Sequence, residues 1–192
     1  MNLKHFVVSS VFGSAVLLGG CNHVPEAGVP NGKLEGILLL QWNREDGFIY
    51  TPDPADPLRY TRTGFPEVRP GRMYTDGGSI PRVFWSFKHY SPWAYGPAYV
   101  IHDWLYLQHR CKVGTGYGFE DANGALYDVI GILVRQGLAG DPSGQVARNI
   151  KWAVDNYGRT AWNGKDCVVP SARAFSPSST LMRFQFGTSR PR

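Results

Sequence analysis

The chain has 192 residues, 43% hydrophobic and 14% aromatic, with 20 Lys and Arg against 15 Asp and Glu. That length and apolar content suit one globular domain with a real core and exclude a chain too polar to fold. The net charge of +5 is small, and no run of five like charges occurs, which excludes an extended nucleic-acid surface.

In chain order, residues 1–20 have the layout of a secretory signal. Lys4 supplies a positive start, Phe6 to Leu18 form an apolar segment, and two glycines follow. The apolar run is shorter than the ~20 residues a spanning helix needs. Leu18-Gly19-Gly20-Cys21 resembles the lipobox of bacterial lipoproteins. The resemblance implies that Cys21 carries the lipid, palmitate included, and becomes the mature N-terminus. The membrane is then a partner through that anchor. Asn22, rather than an aspartate, follows the cysteine, so the expected address is the periplasmic face of the outer membrane. Without the signal, nineteen basic residues face fifteen acidic ones, a net charge of +4.

With Cys21 lipidated, Cys111 and Cys167 remain as an even pair. An oxidising periplasm favours one disulfide between them. Its loop of about 57 residues would contribute on the order of 4 kcal/mol. Two free thiols are the alternative, since spacing says nothing of geometry.

Residues 21–32, rich in Pro, Gly and polar side chains, form a tether, and residues 33–163 form a single domain. Within it, Ile37-Leu38-Leu39-Leu40 suits a buried strand in Lys33 to Trp42. Gly47 to Thr51, Leu58 to Thr63 and Glu67 to Thr75 are further strands, set apart by Pro52, Pro54, Pro57, Gly64-Phe65-Pro66 and Pro70-Gly71. The period then changes. Ala98, Ile101 and Leu105 predict a helix from Pro97, and Ala122, Leu126, Ile130 and Leu133 predict one over Phe119 to Gln136 with Gly137 as its cap. Asp141-Pro142 reads as the start of a third helix that ends at Gly158. Residues 164–192 are a loose Ser/Pro/Arg-rich tail with one short strand near Leu181 to Phe186. The fold class is α+β: a small, mainly antiparallel N-terminal sheet packed on two or three helices.

Two segments carry chemistry-bearing residues. In the first, Asp76-Gly77-Gly78-Ser79 is a turn whose glycines let backbone groups approach a ligand, so these four residues form a candidate binding loop. A purely structural turn with Asp76 capping its own backbone explains it equally well. In the second, His102-Asp103-Trp104-Leu105-Tyr106 lies on the first predicted helix, with His102 and Tyr106 on one face. His102 is a candidate general base, Asp103 a candidate metal ligand, and Asp121, on a returning second helix, a candidate orienting carboxylate. Asp128 competes for that last role. A buried histidine satisfied by a neighbouring acid is the plain alternative. His89 and His109 show no zinc-ligand spacing. The aromatic stretch around Phe84, Trp85, Trp93, Tyr95, Tyr99 and Trp104 fits core packing or the wall of a lipid cleft.

Asp76, Ser79, Pro81 and Arg82, then Tyr95-Gly96-Pro97, then His102-Asp103-Trp104-Leu105-Tyr106, resemble the bacterial and phage-associated domain of unknown function 1353 family. The resemblance covers roughly residues 33–137 and implies a single domain without an assigned activity. His102-Asp103-x-x-Tyr106 followed by a second-helix acid is also similar to secretory calcium-dependent phospholipases. That similarity implies His102 as the water-activating base, Asp103 as a calcium ligand, Asp121 as the residue orienting the histidine and Tyr106 as a supporting partner. The calcium loop of that family has no clean match, Gly77-Gly78 and Gly96 being the candidates for its role, and the flanking cysteines are absent. Two functions follow as expectations. One is an envelope hydrolase acting on a phospholipid-like ester. The other is a non-catalytic envelope or phage-related binding or exclusion lipoprotein in which the His-Asp network is structural.

Overall fold

A computed structural model describes residues 31–43, 47–76, 95–141, 143–170 and 181–187 of the chain. Strand β1 (Gly32–Asn43) is the axis of an antiparallel sheet. Around it lie β2 (Gly47–Tyr50), β3 (Arg59–Arg62), β4 (Met73–Thr75) and β5 (Leu181–Phe186). The sheet runs β3-β1-β2-β4, with β5 also paired to β1. The Gly32–Glu35 end of β1 pairs with β3, the Gly36–Gln41 stretch with β5, and the Leu40–Asn43 end with β2. One strand therefore serves three partners, and the sheet curls where they change over.

The change occurs at Gly36, where φ is +96°. A side chain there would be strained in that backbone region. It would also collide, because a Cβ would lie 2.3 Å from the carbonyl oxygen of Pro57. The next residue, Ile37, donates its amide to Asp56 O at 2.8 Å. Beyond the bend, Leu38 and Leu40 point into the core together with Leu34, while Ile37 is buried on the other side against the Pro57 bridge. This explains why the apolar run from Ile37 to Leu40 does not alternate: both faces are covered.

Four helices follow among the described residues: α1 (Gly96–Arg110), α2 (Phe119–Arg135), α3 (Gln145–Tyr157) and the single turn α4 (Arg159–Trp162). The fold is α+β, as the change of hydrophobic period predicts. Ala98, Ile101 and Leu105 of α1 and Ala122, Leu126, Ile130 and Leu133 of α2 are all buried. Each fully buried Leu or Ile contributes roughly 1.5–3 kcal/mol. Gly137, at φ +70°, ends α2 in the left-handed conformation expected of a capping glycine.

Helix α3 starts later than Asp141-Pro142 suggests. Its N-cap is Gly144, at φ +66° and without a capping side chain. Asp141 performs that task from three residues upstream, where Oδ2 accepts the Ala147 amide at 2.8 Å. Cys111, at the end of α1, is bonded to Cys167 with the Cα atoms 4.9 Å apart. The C-terminal strand expected near Leu181 to Phe186 is β5, which pairs with six consecutive residues of β1.

Gly36→Ala should lower stability by about 2 kcal/mol or more, through backbone strain and the clash with Pro57. Urea denaturation measures it, and a variant as stable as the wild type would contradict a bend at this residue.

Candidate functional site

His102 and Tyr106 lie one turn apart on the face of α1 that meets α2, with ring centroids 4.1 Å apart. The imidazole is 0% exposed. Its Nε2 is 3.0 Å from Oδ1 of Asn123, an equally buried residue of α2. The Tyr106 hydroxyl donates to the same oxygen at 2.7 Å. Asn123 Nδ2 in turn donates to Asp155 Oδ1 on α3 at 2.9 Å. Lys151, one turn back on α3, pairs with the other oxygen of Asp155.

This chain of bonds sets the protons. A carboxylate only accepts, so the NH2 of Asn123 must face Asp155, and its carbonyl must face the two rings. The proton of neutral His102 is therefore on Nε2. Its Nδ1 has no hydrogen-bond partner and stands 3.5 Å from Asp103 Oδ1. Burial pushes the Tyr106 phenol well above its usual range, and the charges of Asp103 and Asp155 add to the effect. Gly158 lets the end of α3 close over this cluster, since a Cβ there would come within 2.6 Å of the Tyr106 hydroxyl.

Asp103 faces the sheet. Its Oδ2 accepts from Thr75 Oγ1 at 2.6 Å, which ties α1 to the end of β4. Six to eight oxygen ligands are typical of calcium. Among the described residues, no group of three or more His, Cys, Asp or Glu side chains is placed to hold a metal. Of the expected binding loop, Asp76 is exposed just after β4, and Gly77, Gly78 and Ser79 lie outside the described residues.

Asp121 does not meet the imidazole. Its Oδ2 accepts the Gly118 amide at 3.1 Å, closing the first turn of α2, and its Oδ1 is 3.5 Å from Arg62. Asp128, two turns further on, accepts from the Tyr60 hydroxyl at 2.9 Å and stands 3.6 Å from the same Arg62. Seven residues apart, the two acids share one helix face and serve β3. The residues that sequence reasoning missed are Asn123, Thr75, Asp155 and Arg62. A cue for Asn123 existed: it falls beside Ala122 and one turn before Leu126, a polar residue inside the apolar stripe of α2.

A cleft of about 440 Å³ opens on the other side of α1, between the helices and the sheet. Leu38, Leu40, Phe48, Val100, Leu133 and Phe184 form an apolar part of its wall, and Thr75 and Arg183 also line it. Among the described residues no helix is long and apolar enough to cross a membrane.

A model of the family described as "Protein of unknown function (DUF1353)" matches residues 55–153, just over half of the chain. The match takes in β3, β4, α1, α2 and most of α3, and so every residue of the network except Asp155. No curated protein and no solved structure matches the chain.

Asn123→Ala should cost about 3 kcal/mol, because it strands two buried donors and an acceptor. Asp121→Asn keeps the cap acceptor and should cost less than about 1 kcal/mol. Equal losses in urea titrations of the two variants would mean that Asn123 is not the organising residue.

Proposed function

The chain belongs to this family of unknown function, and from that premise we propose a non-catalytic lipoprotein of the bacterial envelope that binds rather than transforms its ligand. One observation carries the reading: the imidazole of His102 is fully buried, with Nε2 bonded to Asn123. A general base needs a ring nitrogen within reach of the proton it removes. Here one nitrogen is engaged between helices and the other faces Asp103 on the same helix. The carboxylate that would orient the ring for catalysis, Asp121, is turned toward Arg62. In this reading the His-Asn-Tyr cluster holds α1, α2 and α3 in register. Ester hydrolysis at His102, with calcium at Asp103, is the reading it replaces.

Export and anchoring rest on other support. The lipobox-like run ending at Cys21 supplies the address, in a segment outside the described residues. The bond between Cys111 and Cys167 is of the kind that persists in an oxidising compartment. The membrane, reached through the lipid on Cys21, is the first partner, at the periplasmic face of the outer membrane. A basic excess this small supports no nucleic-acid partner.

The test of the catalytic question is His102→Gln, assayed on phospholipid esters with and without calcium. Neither wild type nor variant should release fatty acid, and the variant should lose roughly 1–3 kcal/mol of stability. Wild-type turnover that disappears in a folded His102→Gln protein would overturn the reading. For the anchor, cells fed labelled palmitate should label the wild type and leave Cys21→Ala unlabelled. An unlabelled wild type would remove the anchoring proposal.

A further inference from the structure

We infer that the surface around the Cys111–Cys167 bridge is a contact for an anionic phospholipid bilayer, made by cations and exposed valines side by side. The inference goes beyond the ligand-binding reading and does not require a lipid on Cys21. It starts from the end of α1. The Val113 amide donates to Gln108 O at 2.9 Å and the Lys112 amide to His109 O at 3.0 Å, the bond pattern of a Schellman ending. Glycine usually takes the left-handed position of that ending, and an apolar residue just after it usually packs back on the helix. This chain departs from both rules. Lys112 holds the left-handed position, at φ +58°, and among the described residues it is the one non-glycine with positive φ. The residue Val113 would pack on is Gln108, and Val113 stays 51% exposed. A glycine at 112 would relieve the strain, so a lysine there costs the fold something and marks a place where presenting a cation matters.

The disulfide extends this surface. With the Cα atoms of Cys111 and Cys167 4.9 Å apart, Lys165, Val168 and Val169 lie within two residues of the bridge on its other segment, and all three are exposed. Single exposed apolar residues are ordinary, but three valines gathered beside lysines are not. Among the described residues, Arg110, Lys112 and Lys165 enter no ion pair, whereas Lys151 and Arg159 on the neighbouring helices each meet an acid. Asp166 is the acid inside the surface, and Glu67, across a shallow hollow from Val113, is held by Arg69. The dipole of α1 accounts for cations in its last turn, but not for Lys165 or the valines. The charge of the chain is segregated in the same direction. Residues 21–163 hold fourteen basic and fourteen acidic side chains. The whole excess of +4 therefore falls after residue 163, where Lys165, Arg173, Arg183, Arg190 and Arg192 face Asp166 alone. Apolar side chains set among cations match a leaflet of anionic headgroups over hydrocarbon. A soluble anion would use the cations and leave the valines in water.

The test uses the full chain carrying Cys21→Ala, floated with vesicles of phosphatidylcholine alone or mixed with phosphatidylglycerol. The mixed vesicles should bind it about tenfold more tightly, and salt at about 0.5 M should abolish the difference. In deuterium exchange, the peptides over residues 108–113 and 164–170 should gain protection on the mixed vesicles. Lys112→Gly combined with Lys165→Gln should cut the preference to about twofold or less. Lys112→Gly alone relieves the left-handed strain, so it should not lower the thermal midpoint. Weaker vesicle binding in that variant is then a lost contact rather than lost folding. Equal binding to the two vesicles, or a tenfold preference kept by the folded double variant, would overturn the inference. So would equal protection of the same peptides by a soluble anionic polysaccharide, which would reassign the surface to a glycan. Palmitate labelling at Cys21 bears on the anchor alone, so the two proposals fail separately.

Discussion

The side-chain amide of Asn123 is the point on which three helices agree. It is buried, and its carbonyl takes a hydrogen bond from each of two rings on α1 while its NH2 is committed to α3. A buried amide with its bonds made is worth little net free energy, but one with a missing partner is costly. The arrangement therefore acts as a constraint more than as a source of stability. A helix that slipped by one residue would leave a buried phenol and a buried imidazole facing apolar atoms. The neighbouring rings share the constraint. Trp162 of α4 meets Tyr106 edge-on and stacks on His109 at 3.9 Å, so the last helical turn is keyed to the same face of α1.

The sheet depends on an equally local feature. A strand that pairs with β3 at one end and with β5 and β2 at the other must turn between them, and Gly36 is where it turns. Two long-range closures then fix the chain ends. The disulfide holds the segment after α4 to the end of α1, and β5 returns to the middle of β1. Together they place Phe184 opposite Leu38, above the cleft.

Much of this was legible because the signals are periodic. The buried rows of α1 and α2, the apolar run of β1 and the short strand at Leu181 to Phe186 all follow from the spacing of apolar residues. Boundaries governed by single contacts were not. Asp141 caps α3 across a left-handed glycine, a geometry that its resemblance to an ordinary N-cap conceals. The imidazole's partner was misplaced for a different reason. Acids draw attention because they are charged, and Asp121 and Asp128 were the charged residues on the expected helix. Their spacing of seven sends both to Arg62, whereas neutral Asn123 lies some 160° around the helix from Asp121, on the stripe that faces His102.

The buried chemistry and the open space in this molecule lie on different sides of the same helix. His102 and Tyr106 face α2, while Gly96 and Val100 face the cleft. Asp103 sits between, within 3.5 Å of the imidazole on one side and bonded on the other to Thr75 of the cleft wall. One carboxylate thus ties the buried ring cluster to the end of β4: it faces the imidazole on its own helix and takes the Thr75 hydroxyl from the sheet, so a shift of α1 along its axis would disturb both contacts together.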